Sequence, residues 1–336
     1  MWQKKRLKFI SLLLISLSCG VQAAADEDWD DLSLVFRSGF EPDSELYTPP
    51  SGEAWRDIRG VDYSVLDSDR FIHTADWDAL DQHPWVGDFK LDLKEGFPEN
   101  RDALIVRSPQ NIENRALYFV LNTPNQGSKG RVQSNLSLNY GVREIYQRVK
   151  FYLHPDFTLL QSMDSSFTWL TLFEFWNDPD WGSQREAPFR IKIDVQKLSA
   201  KPDAPLTWGV TAQIMEPDHR SKPVWKSSEK HPVQIGQWLT AEIYFREGDA
   251  QTGRFYFALT DEYGVKTVIC DVHDFTRHEF DPSPNDGIPF FNPMKLYTRS
   301  DQIRYVHDHG GALQVYWDDW SVYMGEYDLE RKRLSK

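Results

Sequence analysis

Short runs in which apolar and polar residues alternate recur from about residue 103 to the end of the chain. Alternation places successive side chains on opposite sides of an extended backbone, so each run predicts a β-strand with one buried face. The thirteen runs cover 104–106, 116–121, 131–138, 143–153, 167–176, 189–195, 208–215, 238–245, 254–260, 266–272, 293–298, 303–306 and 313–323. Helical spacing is nearly absent. So many short strands predict an all-β fold, a large antiparallel two-sheet β-sandwich.

The segment from residue 43 to residue 100 lacks this alternation, although a strand-like run precedes it at 34–41. It is rich in Pro, Gly, Asp and Trp, which predicts a long irregular excursion rather than a separate domain. His307 to Gly311 is interpreted as a hairpin turn between the last two runs. No repeat, low-complexity tract or linker divides the chain, so residues 26–336 are predicted to form one domain.

Residues 1–25 have the three parts of a secretory signal peptide. Four Lys and Arg residues precede the apolar run Phe9 to Leu17, and small residues follow it. The apolar run is shorter than the ~20 residues that cross a bilayer, so no membrane span is predicted. Export to the periplasm or the extracellular space is expected. Cys19 would be the acylated residue of a lipoprotein, but cleavage at Ala23 to Ala25 is the favoured alternative.

Cysteine, charge and aromatic content narrow the class of protein further. If Cys19 leaves with the signal peptide, Cys270 is the only cysteine, and its apolar surroundings predict a buried, inert thiol. The net charge of −13 disfavours nucleic acid and other polyanions as global partners. The chain holds 13 Trp, 14 Tyr and 20 Phe, which favours wide sheets with aromatic platforms over a helical bundle.

Four of the strand runs carry polar side chains on one side and apolar side chains on the other. In a sandwich the apolar sides meet in the core, so the polar sides face outward and form a single cleft if the strands are neighbours. The polar residues are Arg131, Gln133 and Asn135; Glu174 and Trp176; Arg190, Lys192 and Asp194; Lys295 and Tyr297. The apolar residues expected between the sheets are Val132, Phe173, Phe175, Ile191, Ile193, Met294 and Leu296. Large aromatic side chains on the polar side favour a binding surface.

The two ends of the strand-rich region resemble a known superfamily. Phe36 to Glu41 and Gly311 to Tyr323 look like the first and last strands of concanavalin A-like lectin and glucanase domains, in which these strands lie side by side. Acidic residues there often bind a structural calcium, and Glu41 with Asp318 or Asp319 would match. The alternative is a purely structural, hydrogen-bonding role for these carboxylates.

Within that superfamily, the order of motifs is similar to that of jelly-roll polysaccharide lyases, such as alginate lyases and their heparin- and glucuronan-cleaving relatives. Those enzymes carry an Arg-x-Glu-x-Arg strand, then a Gln-x-His strand, then a late strand with Lys and Tyr. This chain has Arg131 to Asn135, then Glu174 to Trp176, then Lys295 to Tyr297. Trp176 stands where the family has its histidine, and Glu174 stands where it has glutamine.

The resemblance implies a lyase that cleaves a uronate-containing glycan by β-elimination. The reaction needs groups that neutralise the uronate carboxylate, accept the proton beside it and protonate the leaving oxygen. An arginine fork suits a carboxylate, and a tyrosine near positive charge suits proton transfer. The candidates are Arg131, Gln133 and Arg190 for the carboxylate, and Tyr297 with Lys192 or Lys295 beside it for the proton.

Two other functions are open alternatives. In a non-catalytic carbohydrate-binding protein, Trp176 and Tyr297 would stack on sugar rings while Asn135, Glu174 and their neighbours hydrogen-bond to hydroxyl groups. A glycoside hydrolase needs two carboxylates, about 5 Å apart in the retaining enzymes, and the Glu-x-Asp-x-x-Glu run of laminarinase-type enzymes is absent. The expected partner is a polysaccharide or oligosaccharide. The chain is expected to be monomeric, with no organic cofactor.

Overall fold

The computed structural model describes residues 32–49, 54–65, 72–93, 100–123, 129–139, 141–177, 187–216, 220–281 and 286–325. The predicted signal peptide and Cys19 lie outside the described residues. The described strands are β1 (Ser33–Ser38), β2 (Glu45–Tyr47), β3 (Trp55–Arg59), β4 (Val86–Asp92), β5 (Arg101–Arg107), β6 (Arg115–Leu121), β7 (Lys129–Leu138), β8 (Glu144–Leu153), β9 (Leu170–Trp176), β10 (Phe189–Gln196), β11 (Thr207–Met215), β12 (Ser221–Lys226), β13 (Trp238–Arg246), β14 (Arg254–Thr260), β15 (Lys266–His273), β16 (Phe290–Asn292), β17 (Lys295–Arg299) and β18 (Leu313–Gly325). The helices are α1 (Trp77–Leu80) and α2 (Ser300–Asp308), with 3₁₀ turns at Tyr63–Val65, Ile72–Ala75 and Pro155–Ser162.

These strands form two sheets whose neighbours pair antiparallel. The smaller sheet has the order β15-β14-β13-β8-β18-β6-β5, with β1 also paired to β18. The larger sheet has the order β12-β11-β10-β9-β16-β7-β4-β3-β2, and β17 pairs with both β7 and β9. The predicted all-β, two-sheet antiparallel sandwich is confirmed. The predicted pairing of the first and last strands is confirmed too.

The core lies between the two sheets and is rich in aromatic rings. Phe173 on β9 meets Trp317 on β18 with ring centroids 5.5 Å apart, and Phe175 stacks on Phe245 of β13 at 5.2 Å. The apolar residues expected in the core are all at most 1 % exposed: Val132, Phe173, Phe175, Ile191, Ile193, Met294 and Leu296. Their burial confirms the strand register and therefore fixes which side chains face outward.

The prediction of an irregular excursion at 43–100 needs correction in the part that the structure describes. Three strands from this segment, β2, β3 and β4, extend the larger sheet beyond β7. Trp77 of α1 packs beneath them against Phe36, Phe89 and Trp320, and is itself 4 % exposed. The strands are short and their pairings are non-local, so the surrounding Pro and Gly residues dominate the sequence pattern.

The predicted strand at 303–306 is wrong, because this segment belongs to helix α2. Ile303 and Val306 are three residues apart, which places both on one buried face of the helix. His307 lies in the last helical turn, and Gly310, with a φ of 82°, turns the chain into β18. The predicted hairpin turn is therefore a helix-to-strand connection. In the described part of the chain, no helix is long and apolar enough to cross a membrane.

Cys270 on β15 is 5 % exposed, as predicted for a buried thiol. Burial, with a smaller effect of Asp271, raises the pKa of the thiol to about 12. The thiolate form is therefore scarce near neutral pH, and the residue is chemically inert.

Candidate functional site

The four strands with predicted polar sides are neighbours in the larger sheet. Lys192 on β10 pairs with Glu174 on β9, and Tyr297 on β17 pairs with Thr171 on β9 and Arg131 on β7. Because their apolar partners are buried in the core, these side chains all lie on the outer side of the sheet. We call this side of β7, β9, β10, β16 and β17 the polar face.

Many residues of the polar face are buried, although the sequence predicted solvent-facing side chains. Gln133, Glu174, Lys192 and Lys295 are 1 %, 4 %, 7 % and 1 % exposed. Opposite charges on neighbouring strands pair and cover one another, which removes them from water. The polar face is therefore a preorganised network rather than a solvated surface.

The centre of this network is an ion pair between Lys295 and Glu174. Lys295 Nζ donates to Glu174 Oε2 and, at 3.0 Å, to Asn292 Oδ1. Arg190 Nη1 lies 3.3 Å from Glu174 Oε1. The Nε and Nη2 atoms of Arg190 donate to Gln213 Oε1 at 3.1 and 3.0 Å. Glu174 thus holds two cations in place.

The charges around the pair shift its protonation equilibria. Burial acts to raise the pKa of Glu174, but the positive charges of Lys295, Arg190 and Lys192 outweigh it and hold the pKa below its ordinary value. Burial lowers the pKa of Lys295 to about 8; Arg131 and Arg190 act in the same direction, and Glu174 opposes them. Glu174 is therefore ionised near neutral pH, and Lys295 loses its proton under mildly alkaline conditions.

A chain of amide groups continues the network toward β4. Asn292 Nδ2 donates to Asn135 Oδ1 at 2.6 Å and to the Ser134 carbonyl oxygen at 2.9 Å. Gln133 Nε2 also donates to Asn135 Oδ1, at 2.7 Å. Asn135 Nδ2 in turn lies 3.4 Å from Asp92 Oδ2. Asn292 is fully buried, so it fixes the position of the Lys295 ammonium group.

Two further charged pairs flank the centre. Arg131 Nη2 lies 3.7 Å from Asp92 Oδ2. Lys192 Nζ donates to Asp194 Oδ2 at 2.7 Å, and the Thr171 hydroxyl donates to the other oxygen of Asp194, also at 2.7 Å.

The network carries more positive than negative charge. It contains four cationic side chains, Arg131, Arg190, Lys192 and Lys295, and three carboxylates, Asp92, Glu174 and Asp194. A chain of net charge −13 thus presents a local positive surplus at this face. Such a surplus favours an anionic group over a cationic one at this face.

Tyr297 lies among three cations. The distances from its ring centroid are 5.2 Å to Lys295 Nζ, 5.6 Å to Arg131 Cζ and 5.9 Å to Lys129 Nζ. Trp169 packs its edge against the same ring, with centroids 4.7 Å apart. The Tyr297 side chain is half-buried and held from several sides.

Three buried polar atoms of this face have no hydrogen-bond partner among the described residues: Gln133 Oε1, Trp176 Nε1 and Arg131 Nε. Buried polar groups are normally paired, so an unpaired acceptor and two unpaired donors in one place suit a polar ligand. Trp176 is half-buried, with the Phe290 ring centroid 5.9 Å from its own and Lys295 Nζ 5.6 Å away. A ligand here would meet both an aromatic ring and hydrogen-bonding groups.

The predicted calcium ligands meet at Gly39, just beyond β1. Gly39 has no side chain, and the three acidic side chains surround the space that a Cβ atom would fill. That position lies 3.6 Å from Asp318 Oδ1, 3.6 Å from Asp319 Oδ1 and 3.7 Å from Glu41 Cγ. Asn114 Nδ2 donates to Asp318 Oδ2 at 2.7 Å, so this oxygen already has a protein partner.

The other carboxylates of this cluster are engaged too. The Arg115 N–H donates to Glu41 Oε1 at 3.3 Å, and Lys150 Nζ pairs with Asp319 Oδ2 at 2.5 Å. No group of three or more His, Cys, Asp or Glu side chains in the described ranges is arranged to hold a metal. These contacts fit the hydrogen-bonding alternative, and calcium binding here stays a prediction.

Two residues of the network, Asp92 on β4 and Asn292 on β16, were not singled out from the sequence. Asp92 alternates with the buried Leu91 and Leu93 and follows Lys90, so the period-two pattern of a strand was present. It was overlooked because the segment from 43 to 100 is otherwise rich in Pro, Gly, Asp and Trp. Asn292 lies in a strand of three residues and has no local signal. Its place beside Lys295 depends on how β16 pairs with β9, which is a non-local property.

Comparisons with known proteins place similar folds among polysaccharide lyases and lectins. An endo-β-1,4-glucuronan lyase from the fungus Trichoderma reesei is 18 % identical over 68 % of this chain and 90 % of its own, with a TM-score of 0.41. A marine PL-14 alginate lyase from Aplysia kurodai is 10 % identical over 74 % of this chain and 94 % of its own, with a TM-score of 0.48. A legume lectin-like domain from Entamoeba histolytica is 9 % identical over 68 % of this chain and 91 % of its own, with a TM-score of 0.31. No protein-family model and no curated protein sequence matches this chain.

Proposed function

We propose that this protein is exported, binds a uronate-containing polysaccharide on the polar face and cleaves it by β-elimination. The observation that carries the proposal is the position of Tyr297 among Lys295, Arg131 and Lys129. A tyrosine can transfer a proton, and cations within 6 Å of its ring stabilise the negative charges on the tyrosine oxygen and on a substrate carboxylate.

The reaction assigns a role to each group. A base removes the proton from the carbon beside the carboxylate, the electron pair forms a carbon–carbon double bond, and the bond to the glycosidic oxygen breaks. That oxygen then takes a proton. We assign both proton transfers to Tyr297 because Trp176, at the position of the lyase histidine, has no titratable group. The Tyr297 phenolate takes the proton from the carbon, and the hydroxyl so formed donates it to the glycosidic oxygen, which restores the phenolate. Arg131 and Gln133 face the carboxylate, and Lys295 supplies positive charge.

Two substitutions separate catalysis from binding. Tyr297→Phe keeps the ring and removes the hydroxyl, so turnover should be lost while affinity changes by only about one hydrogen bond, ~0.5–1.5 kcal/mol. Trp176→Ala should weaken binding by removing a stacking surface. Tyr316→Phe, on the outer side of the smaller sheet, is the matched control and should leave both unchanged. If Tyr297→Phe still catalyses substantial elimination, another group must transfer the proton, and Lys295 is the next candidate.

A non-catalytic carbohydrate-binding protein is the second candidate function. It is favoured by Trp176, which offers an aromatic ring and an unpaired, buried N–H group but no means of moving a proton. In that case the wild-type protein would release no product from any uronate polymer, yet would retain a glycan affinity that Trp176→Ala destroys.

A further inference from the structure

The polar face continues past β7 onto the strands that precede it in the sequence. Lys90 on β4 pairs with Asn135 on β7, and Asp92 pairs with Gln133. Trp55 on β3 pairs in turn with Asp92. Paired residues share a face, so Lys90, Asp92 and Trp55 lie on the same outer side of the sheet as Lys295 and Tyr297.

Trp55 lies at the far end of a row that begins in the centre of the site. The row runs across four strands through Lys295, Gln133, Asp92 and Trp55. Three strand spacings separate its ends, or about 14 Å. This distance exceeds one sugar ring, so both ends can contact one carbohydrate only if it is an oligosaccharide.

The outer end, like the centre, places a lysine near a tryptophan ring. Lys90 Nζ lies 5.5 Å from the ring centroid of Trp55, just as Lys295 lies near Trp176. The Lys90 side chain is 43 % exposed, and its ammonium group pairs with Asp88. Asp88, and more weakly Asp81 and Asp57, raise the pKa of Lys90, so it offers hydrogen-bond donors rather than a surplus of positive charge. An aromatic ring beside hydrogen-bond donors suits a sugar residue, which has an apolar ring face and hydroxyl groups.

The strand that carries Trp55 is anchored on its other side. Arg56 Nη1 donates to the Asp102 carboxylate and to the Ala103 carbonyl oxygen, both on β5 of the smaller sheet. Ile58 is 1 % exposed. The Trp55 ring therefore stands on a fixed strand, as a binding platform requires.

We infer that Trp55 and Lys90 form an outer subsite for a distant sugar of the same acidic polysaccharide chain that occupies the centre. The inference rests on the proposed function. It assigns β3 and β4 the role of lengthening the substrate-binding surface, so the protein selects polymers and long oligosaccharides over short ones.

A series of uronate oligosaccharides of increasing length tests this inference. Dissociation constants are measured by calorimetry in a Tyr297→Phe background, which is expected to prevent turnover. Trp55→Ala should weaken binding of long oligosaccharides about tenfold and leave the shortest ones unchanged. Lys90→Met should weaken the long ones as well, because it removes the ammonium hydrogen-bond donors. Trp238→Ala, on the smaller sheet, is the matched control, and melting temperatures check that each variant is folded.

The outcomes separate the subsite from the proposed function. If Trp55→Ala binds long oligosaccharides like its parent, or weakens all lengths equally, the subsite is absent although the central site can still act. If neither the parent nor the wild-type protein binds a uronate oligosaccharide of any length, both the outer subsite and the proposed function are wrong. Length-dependent loss in Trp55→Ala, with Trp238→Ala unchanged, supports the subsite.

Discussion

Lys295 combines nearly complete burial with four charged or amide neighbours. Its ammonium group contacts Glu174 and Asn292, while Arg131 and Arg190 lie close enough to lower its pKa. An unpaired buried charge is strongly unfavourable, so arrangements in which Lys295 and Glu174 separate are disfavoured. The ion pair therefore holds both side chains in one geometry. We infer that, in the proposed function, this geometry holds the Lys295 ammonium group beside Tyr297, where it can stabilise a substrate carboxylate.

The pKa of Lys295 predicts a pH dependence. A lysine is charged below its pKa, so the positive charge is present below about pH 8 and is lost as pH rises through that value. We expect kcat/KM for a uronate polymer to fall over this range, and Lys295→Arg, whose charge persists, to shift the fall to higher pH. A pH profile of both proteins checks this. A rise through about pH 8 that Lys295→Arg abolishes would instead indicate that neutral Lys295 is the base.

The carboxylates around Gly39 give a second prediction for individual side chains. Asp318 accepts hydrogen bonds from Asn114 and from the Asp319 N–H, so its oxygens are engaged without an ion. If the hydrogen-bonding alternative is right, the melting temperature should be the same with and without a chelator. A lower melting temperature in chelator would show that calcium binds the folded state at this or another position, and loss of that effect in Asp318→Asn would assign it here.

The individual residues of the polar face could be predicted where each strand carried its own alternation. Arg131, Gln133, Glu174 and Lys192 followed from local patterns that matched the observed register. Their mutual pairing could not be predicted, because it depends on which strands become neighbours. The sequence therefore indicated solvated side chains where the structure has a buried network.

Between secondary-structure elements, Lys197 provides an unusual connection. Its side chain is fully buried, and Nζ donates to the carbonyl oxygens of Met163, Ser199 and Lys201, each at 2.7 Å. It joins the loop after β10 to the segment before β9, which carries Trp169 toward Tyr297. A single ammonium group thus satisfies three carbonyl groups and joins two segments of the chain.

Lys197→Met should destabilise the protein, because it leaves these carbonyl oxygens without a donor. We expect the free energy of unfolding, measured in urea, to fall by about 3 kcal/mol. Lys201→Met is the matched control, since its side chain is exposed and should contribute less than about 0.5 kcal/mol. If the two variants are equally stable, water or another donor must replace the ammonium group.

The elements themselves show where local pattern stops being informative. Long strands such as β8 and β18 were predicted because both carry extended apolar–polar patterns, although the pattern of β18 changes phase at the irregularity between Asp318 and Ser321. Helix α2 was missed because its nine residues lie among strands and its two core residues fit an apolar strand run equally well. Strands β2 and β3 are stabilised by their neighbours in the sheet rather than by their own composition.

For the molecule as a whole, the distribution of charge links fold to function. The chain is acidic overall, yet one side of its larger sheet gathers a surplus of Arg and Lys around a tyrosine. If the protein binds an acidic polysaccharide as proposed, this local positive charge would favour the polar face as its binding surface.

The most direct test is to incubate the wild-type protein with alginate, glucuronan, a heparinoid and a neutral glycan while following ultraviolet absorbance. Elimination creates a carbon–carbon double bond conjugated to a carboxylate, whereas hydrolysis and binding create no such chromophore. We predict rising absorbance with at least one uronate polymer and none with the neutral glycan. New reducing ends without absorbance, or no product from any uronate polymer, would contradict the assignment of this protein as a polysaccharide lyase.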